Sequence, residues 1–135
     1  MDRAARIVAG KGKDMTDREE LELAAKAAGL KIHVARQVER DEEGHANSGL
    51  WIVNGSTCWN PLINDGDALR LAVKLDLSSL MIFQSSGEKH REFWSPNSGY
   101  DGGKSATTKD EYKDDPYAAT RRAIVRAAAA IGEQM

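Results

Sequence analysis

The sequence contains few of the features that mark secreted or membrane-embedded proteins. Its single cysteine, Cys58, excludes an internal disulfide bond, and with it the class of small secreted domains that disulfides stabilise. No stretch approaches the roughly 18 uninterrupted apolar residues of a membrane-spanning helix. The N-terminal residues lack the apolar central segment of a signal peptide. We therefore expect a cytoplasmic protein that does not enter a membrane.

The charge balance gives little support to nucleic-acid binding. Lysine and arginine number 19 against 21 acidic residues, for a net charge of -2. A duplex-binding protein needs several converging cations to displace counterions. Three arginines on one helix are more often a solvated face. A nucleic-acid partner is therefore not expected.

The length and composition indicate one globular domain. A chain of 135 residues can bury a single core, and 41% apolar with 30% charged residues is typical of folded proteins. Residues 1–14 carry two glycines and little periodicity, so we expect a flexible N-terminal extension. Residues 15–135 form the domain, with a mobile loop at about 95–113, where proline and glycines occur among polar residues.

Helix signals occur at both ends of this domain. Thr16 and Glu19 form a capping box, which predicts a helix that starts at Asp17, directly after Thr16. Asp115 before Pro116 places a capping carboxylate ahead of a proline at the first helical position. The last helix is expected to run to about residue 131. Both helices carry an apolar stripe at the three-to-four-residue spacing of one helix face.

A third helix is predicted in the middle of the chain. Pro61 ends an extended segment, and either Asn64 or Asp65 can cap a helix that runs to about residue 75. The apolar positions predict which side of this helix is buried. That side is expected to hold Leu69, Ala72, Val73 and Leu75.

The segment after the first helix changes to a period of two. From Leu30, the apolar Ile32, Val34 and Val38 fall on one side and polar residues on the other, which predicts a half-buried strand. The polar run that follows, residues 39–49, is expected to be a loop.

Further strands complete the predicted fold. They cover residues 50–53, 58–59, 77–84 and 89–94, with the last two forming a hairpin. The fold class is therefore predicted to be α+β. We expect a small antiparallel or mixed sheet of four to five strands packed with three helices in a single domain.

No motif for catalysis, a metal or a cofactor is present. The histidines and the cysteine lie too far apart in sequence for the compact spacing of a zinc site. These residues are His33, His45, His90 and Cys58. Asp65 and Asp67 are accounted for by a helix cap and by the helix dipole. No phosphate loop, dinucleotide fingerprint or nucleophile elbow occurs. We expect no catalytic residues, no metal and no cofactor.

Tryptophans and arginines are the candidates for binding. Tryptophan is costly to expose and common in binding hot spots, although core packing is its more frequent role. The candidates are Trp51, Trp59 and Trp94. The apolar stripe of the last helix leaves its arginines toward solvent or a partner. These are Arg121, Arg122 and Arg126.

Three blocks of the sequence carry a resemblance. They are MTDREELELAAKAAG from Met15, WNPLINDGDALRLAVKL from Trp59, and ATRRAIVRAAAAIG from Ala119. Together they resemble small phage and prophage accessory proteins of the NinX-like, phage alpha-beta-alpha sandwich family. The resemblance implies a phage origin, the cytoplasm of a bacterial host, helix-sheet-helix layering and a helix start at the Trp59-Asn60-Pro61 turn. It implies no catalytic residues.

The first functional hypothesis is a non-catalytic protein that binds and inhibits a host protein, for example in an anti-CRISPR-like, anti-defence role. Its interface would use the loop and the arginine helix. The alternative is a protein that binds or sequesters a small nucleotide signal, with tryptophan stacking and arginine-phosphate contacts. An enzyme is the weakest hypothesis, because the sequence offers no histidine-carboxylate pair. The oligomeric state is open, a homodimer included.

Overall fold

The computed structural model describes residues 15–44, 49–53, 55, 58–83, 89–94, 105–106 and 114–135. The flexible extension expected at 1–14 lies outside these residues. So does the mobile loop expected at about 95–113, apart from a two-residue strand within it.

Four helices account for most of the regular structure in the described residues. They are α1 (Asp17–Ala27), α2 (Val34–Glu42), α3 (Asp65–Lys74) and α4 (Pro116–Glu133). Three of them lie where the sequence predicts helices, and α2 is an additional one.

The caps at the two ends of the domain are confirmed. The Thr16 hydroxyl accepts a hydrogen bond from the Glu19 backbone N–H at 3.1 Å, and the Glu19 carboxylate accepts one from the Thr16 backbone N–H at 3.1 Å. The Asp115 carboxylate accepts from the backbone N–H groups of the second and third residues of α4, each at 3.1 Å. Pro116 is the first residue of that helix. These bonds satisfy donors that a helix start leaves unpaired.

The start of α3 resolves the two alternatives for its cap. Asn64 is the cap, because its side-chain oxygen accepts from the Asp67 backbone N–H at 2.9 Å. Asp65 is the first helical residue, where its charge suits the helix dipole. Pro61 is buried in the turn that follows a strand ending at Trp59, as the sequence predicts.

The strands form two separate small sheets. The first pairs β1 (Leu50–Trp51) with β2 (Cys58–Trp59) antiparallel. The second has the order β3-β4-β5, all antiparallel, with β3 (Ser78–Phe83), β4 (Lys89–Trp94) and β5 (Ser105–Ala106). Both expected strand pairs are therefore present.

The predicted fold class is wrong. The described residues contain four helices rather than three, and no sheet among them has four or five strands. The strands divide between the two-stranded and the three-stranded sheet, and helices predominate. The error has two parts: the segment from Leu30 contains a helix in place of a strand, and the remaining strands form two sheets in place of one.

That segment is α2, which replaces the strand predicted from Leu30. Val34 and Val38 are four residues apart. This spacing places both on one face of an α-helix, and it equally places both on one face of a β-strand. His33 caps the helix, because its Nδ1 accepts from the Arg36 backbone N–H at 3.2 Å. Only Ile32 keeps an extended pairing, as an isolated antiparallel bridge to Ile52. The loop expected from residue 39 begins only after α2 ends.

The buried side predicted for α3 is right for Ala72 and Leu75, which are partly buried against the core, and wrong for Leu69 and Val73. Leu69 and Val73 are 65% and 72% exposed, whereas Ala68 and Leu71 are buried. The helix carries two overlapping apolar stripes, one through residues 69, 72 and 73 and one through 68, 71 and 75. Sequence spacing alone does not distinguish them, because each fits the three-to-four-residue period.

The core centres on the contact between α1 and α4. Small residues of both helices are fully or almost fully buried there. They are Ala24, Ala25 and Ala28 of α1 and Ala123, Ala127 and Ala128 of α4. Near the end of α4, a Cβ atom added to Gly132 would lie 2.1 Å from the Leu23 carbonyl oxygen. The two backbones therefore approach as closely as a glycine allows.

A polar network attaches α2 to the rest of the domain. The two terminal guanidinium nitrogens of Arg18, Nη1 and Nη2, donate to the Asp41 carboxylate at 3.1 Å, which joins α1 to α2. The buried Gln37 amide donates to Asp41 at 3.1 Å and accepts from the Trp51 backbone N–H at 2.7 Å. The Arg18 guanidinium lowers the pKa of Asp41. This network continues from α1 through α2 to β1.

We expect Gly132→Ala to lower the free energy of unfolding by about 2–3 kcal/mol, because the new methyl group forces α1 and α4 apart. Urea denaturation followed by circular dichroism measures this loss. Gly66→Ala is the matched control, since a Cβ there meets only side-chain ends of Asn64 and Arg70 at 3.2–3.3 Å. It should leave stability unchanged or raise it by up to about 1 kcal/mol. Equal stability of the two variants would contradict the close approach at Gly132.

Candidate functional site

Two of the three candidate arginines join α1 to α4. Arg122 Nη1 donates to Asp17 Oδ1 at 2.7 Å and to Glu20 Oε1 at 2.9 Å. Arg126 Nε lies 3.9 Å from Glu20 Oε2. Glu20 is only 3% exposed. The two guanidinium groups therefore neutralise a carboxylate that the helix interface buries.

The third arginine joins α4 to the start of α3. Arg121 Nη1 donates to Asp65 Oδ1 at 2.7 Å, and its Nε donates to the Leu62 carbonyl oxygen at 2.8 Å. All three arginines of α4 thus contact groups of the chain itself, rather than facing only solvent or a partner. A direct role for them in binding remains a prediction.

The three tryptophans lie in different places. The Trp51 ring centroid is 5.1 Å from the Arg36 guanidinium carbon and 5.2 Å from that of Arg40, within cation-π distance. Trp59 is partly buried and packs against the core. Trp94 is the last residue of β4 and pairs with Ser78. The expected combination of tryptophan with the arginines of α4 does not form around Trp51 or Trp59.

Trp59 instead lines a pocket between α3, the β1-β2 hairpin and the end of α1. Its volume is about 370 Å³, within the range of small-molecule sites. Most of its wall is apolar, and two cations of α3 stand at one side, one helical turn apart. The apolar and aromatic lining residues are Ala28, Leu30, Ile52, Val53, Trp59 and Leu71, and the two cations are Arg70 and Lys74.

The charges at this pocket do not cancel. Asp67 also lines it, but its carboxylate accepts from the Asn60 backbone N–H at 3.0 Å and from Arg70 Nη2 at 2.8 Å. Lys74 makes no ion pair with a carboxylate in the described part of the chain. One positive charge is therefore left over where the pocket meets α3.

The opposite face of α3 is an exposed apolar surface. Leu69 and Val73 are one turn apart, and Ile63, in the turn before the helix, is 70% exposed. The Arg70 side chain is 73% exposed. Around the helix circumference, Arg70 lies between this surface and the pocket. We refer to Ile63, Leu69 and Val73 as the α3 outer face. Exposed large aliphatic side chains on and next to one helix often mark an interaction surface.

Among the described residues, no group of three or more histidine, cysteine or acidic side chains is placed to hold a metal ion. Glu20 is the carboxylate whose pKa is raised, because burial outweighs the attraction of Arg122 and Arg126. It lies between two helices rather than in the pocket. Its displaced pKa thus belongs to an ion cluster between α1 and α4.

Sequence reasoning did not identify Arg70, Lys74 or the α3 outer face. Arg70 and Lys74 are four residues apart on a predicted helix, so the sequence predicts that they lie on the same side of that helix. That this side lies against a pocket depends on where the β1-β2 hairpin packs. Two residues of the α3 outer face, Leu69 and Val73, are predicted by the sequence pattern to lie on the buried side of the helix.

Comparison with known proteins identifies no relative. No family model matches the chain, and no curated protein or solved structure is significantly similar to it. Within the residues that the structure describes, no helix has the length and apolar character needed to cross a bilayer.

The buried Glu20 makes stability depend on pH. Its folded-state pKa lies above the 4.5 of an unperturbed glutamate, so the fold favours the protonated form. This contribution is fully present below the unfolded pKa and is lost as the pH rises through the folded pKa. Removing a neighbouring cation raises the pKa of Glu20 in the folded state further. The stability that is lost between low and neutral pH is then larger.

We therefore expect Arg122→Met to lower the free energy of unfolding by about 2 kcal/mol at pH 7, and by much less at pH 4. The value is below the 3–5 kcal/mol of a fully buried pair because the Arg122 side chain is 26% exposed. Urea denaturation at both pH values measures it. Arg121→Met is the control. It removes a pair with Asp65, which is 81% exposed, and a hydrogen bond to the Leu62 carbonyl oxygen, so its loss of stability should not depend on pH. A pH-independent loss in Arg122→Met would contradict this account.

Proposed function

We propose that this chain is a non-catalytic protein that acts by covering the surface of another protein, with the α3 outer face as its contact surface. The observation that carries the proposal is the exposure of Ile63, Leu69 and Val73, at 70%, 65% and 72%. Exposing three large aliphatic side chains is unfavourable in water, and a partner that buries them recovers roughly 25 cal/mol per Å² of apolar surface.

The charge beside this face indicates the chemistry of the partner. Arg70 lies next to Leu69 and is largely exposed, and Lys74 follows Val73. A partner segment with apolar side chains flanked by carboxylates would match both features. The occupant that we propose is therefore an acidic, amphipathic segment of another protein.

The class of partner that we propose rests on the sequence resemblance to NinX-like phage proteins. An accessory protein of phage origin acts in the cytoplasm of a bacterial host. We propose that the partner is a host protein and that covering its surface inhibits it, as in an anti-defence, anti-CRISPR-like role. The resemblance supports this part of the proposal, and the chemistry of α3 supports the binding mode.

A second exposed apolar pair provides an internal comparison. Val34 and Val38 of α2 are 71% and 49% exposed and, like Leu69 and Val73, are four residues apart. The acidic residues of α2 all follow Val38, at positions 39, 41 and 42, and the nearby Arg36 guanidinium lies over Trp51 and 3.6 Å from Glu39. The side chain of Arg36 is 52% exposed against 73% for Arg70, so this pair has less exposed positive charge beside it, and we assign the interface to α3.

The double variant Leu69→Ser/Val73→Ser should bind the host partner at least about tenfold more weakly, because truncating buried apolar anchors commonly costs more than 1 kcal/mol each. Tagged protein captures the partner from host lysate, and calorimetry with the purified partner then gives the dissociation constant. Val34→Ser/Val38→Ser is the matched control and should bind as the unaltered chain does. In the same assay, Arg70→Glu should weaken binding and make it less dependent on salt.

Three outcomes would overturn this proposal. The first is equal loss in the two double variants, or loss only in the α2 variant. The second is self-association of the purified chain that Leu69→Ser/Val73→Ser abolishes, since the occupant would then be a second copy. The third is the absence of any stoichiometric host protein that binds again after purification.

A further inference from the structure

We infer that the pocket between α3 and the β1-β2 hairpin is a binding site for a small aromatic anion. This goes beyond the proposed function, because the apolar wall of the pocket shares no residue with the α3 outer face, although Arg70 and Lys74 border both. The argument rests on the shape of the pocket, its lining and its uncompensated charge.

The lining selects a ligand with a flat apolar body. Leu30, Ile52 and Leu71 contribute aliphatic wall, and Trp59 contributes an aromatic one. An indole attracts flat rings through dispersion and offset stacking. This attraction comes in addition to the free energy that any apolar group gains by being buried. The volume of about 370 Å³ is sufficient for a ligand of one or two rings.

The charge selects an anion. Arg70 gives part of its hydrogen-bonding capacity to Asp67 at 2.8 Å, while Lys74 has no carboxylate partner among the described residues. An acidic group at the α3 side of the pocket would supply that missing charge and could accept from both side chains. Hydrogen bonds to charged groups are stronger than neutral ones, so this contact should dominate the selectivity.

The same chemistry revises the nucleotide hypothesis. The arginines of α4 that the sequence assigned to phosphate are engaged with Asp65, Asp17 and Glu20. Trp59, Arg70 and Lys74 instead bring an aromatic wall and two cations to one pocket. A nucleoside monophosphate and an aromatic carboxylic acid both meet these requirements, since each joins a flat ring system to an anionic group.

The first test uses the full-length chain and a matched pair of dyes. Anilinonaphthalene sulfonate is an aromatic anion, and N-phenyl-1-naphthylamine is the same body without the sulfonate. We expect the sulfonate to bind saturably and about tenfold more tightly than the neutral dye, with Lys74→Met removing most of that difference. Lys31→Met, at an exposed lysine outside the pocket, is the control and should leave it unchanged.

Cys58 supplies a second readout that is specific to the pocket. It is the single cysteine of the chain, it is partly buried and it lines the pocket wall. Saturating sulfonate dye should slow its alkylation by neutral iodoacetamide several-fold. The dye should protect Cys58 equally in Leu69→Ser/Val73→Ser, which excludes binding at the α3 outer face as the cause.

Displacement then identifies the source of the ligand. Release of the dye by adenosine monophosphate supports a nucleotide, and release by indole-3-carboxylate supports an aromatic acid. The inference is overturned if neither displaces the dye, if Cys58 is not protected, or if the charged and neutral dyes bind equally. None of these results depends on a host partner. The dye experiments can therefore fail while the partner experiments succeed, and the reverse.

Discussion

The close approach of α1 and α4 is the constraint on which the rest of the structure depends. With Gly132 against the Leu23 carbonyl and alanines along the contact, the two backbones leave no room for long side chains between them. Leu50 of the small hairpin and Phe93 of β4 belong to the same buried cluster. Contacts of this kind tolerate little change in volume, because protein interiors are packed as densely as crystals. Both sheets and α3 are therefore positioned relative to this helix pair.

The features that could be predicted from the sequence are those that depend on neighbouring residues. The Thr16-Glu19 box and the Asp115-Pro116 start are local, because the groups that satisfy each other lie within four residues. The β3-β4 hairpin belongs to the same category. The segment from Leu30 could not be assigned in this way, since Val34 and Val38 fit two periods, and the hydrogen bonds that hold the helix include tertiary ones between Asp41 and Arg18 and between Gln37 and Trp51.

The candidate surfaces depend on tertiary contacts, which explains why sequence reasoning misplaced them. The arginines of α4 were expected outside because their helix has an apolar side, yet Glu20 of α1 is buried opposite two of them. The assignment of Leu69 and Val73 to the core was wrong because α3 carries two equivalent stripes. In both cases the pattern restricted the choice to two faces of a helix, and packing against another element decided between them.

The way in which α2 is attached has a consequence for the motions of the domain. Its single buried residue is Gln37, so hydrogen bonds and the Arg18-Asp41 pair hold it, with little apolar burial. A unit of this kind opens with a lower free energy than the α1-α4 core, and its amide protons exchange with solvent without global unfolding. Because Gln37 also anchors β1, such an opening would loosen the hairpin that forms one wall of the pocket. Occupancy of the pocket and closure of α2 are then thermodynamically linked, so that each favours the other.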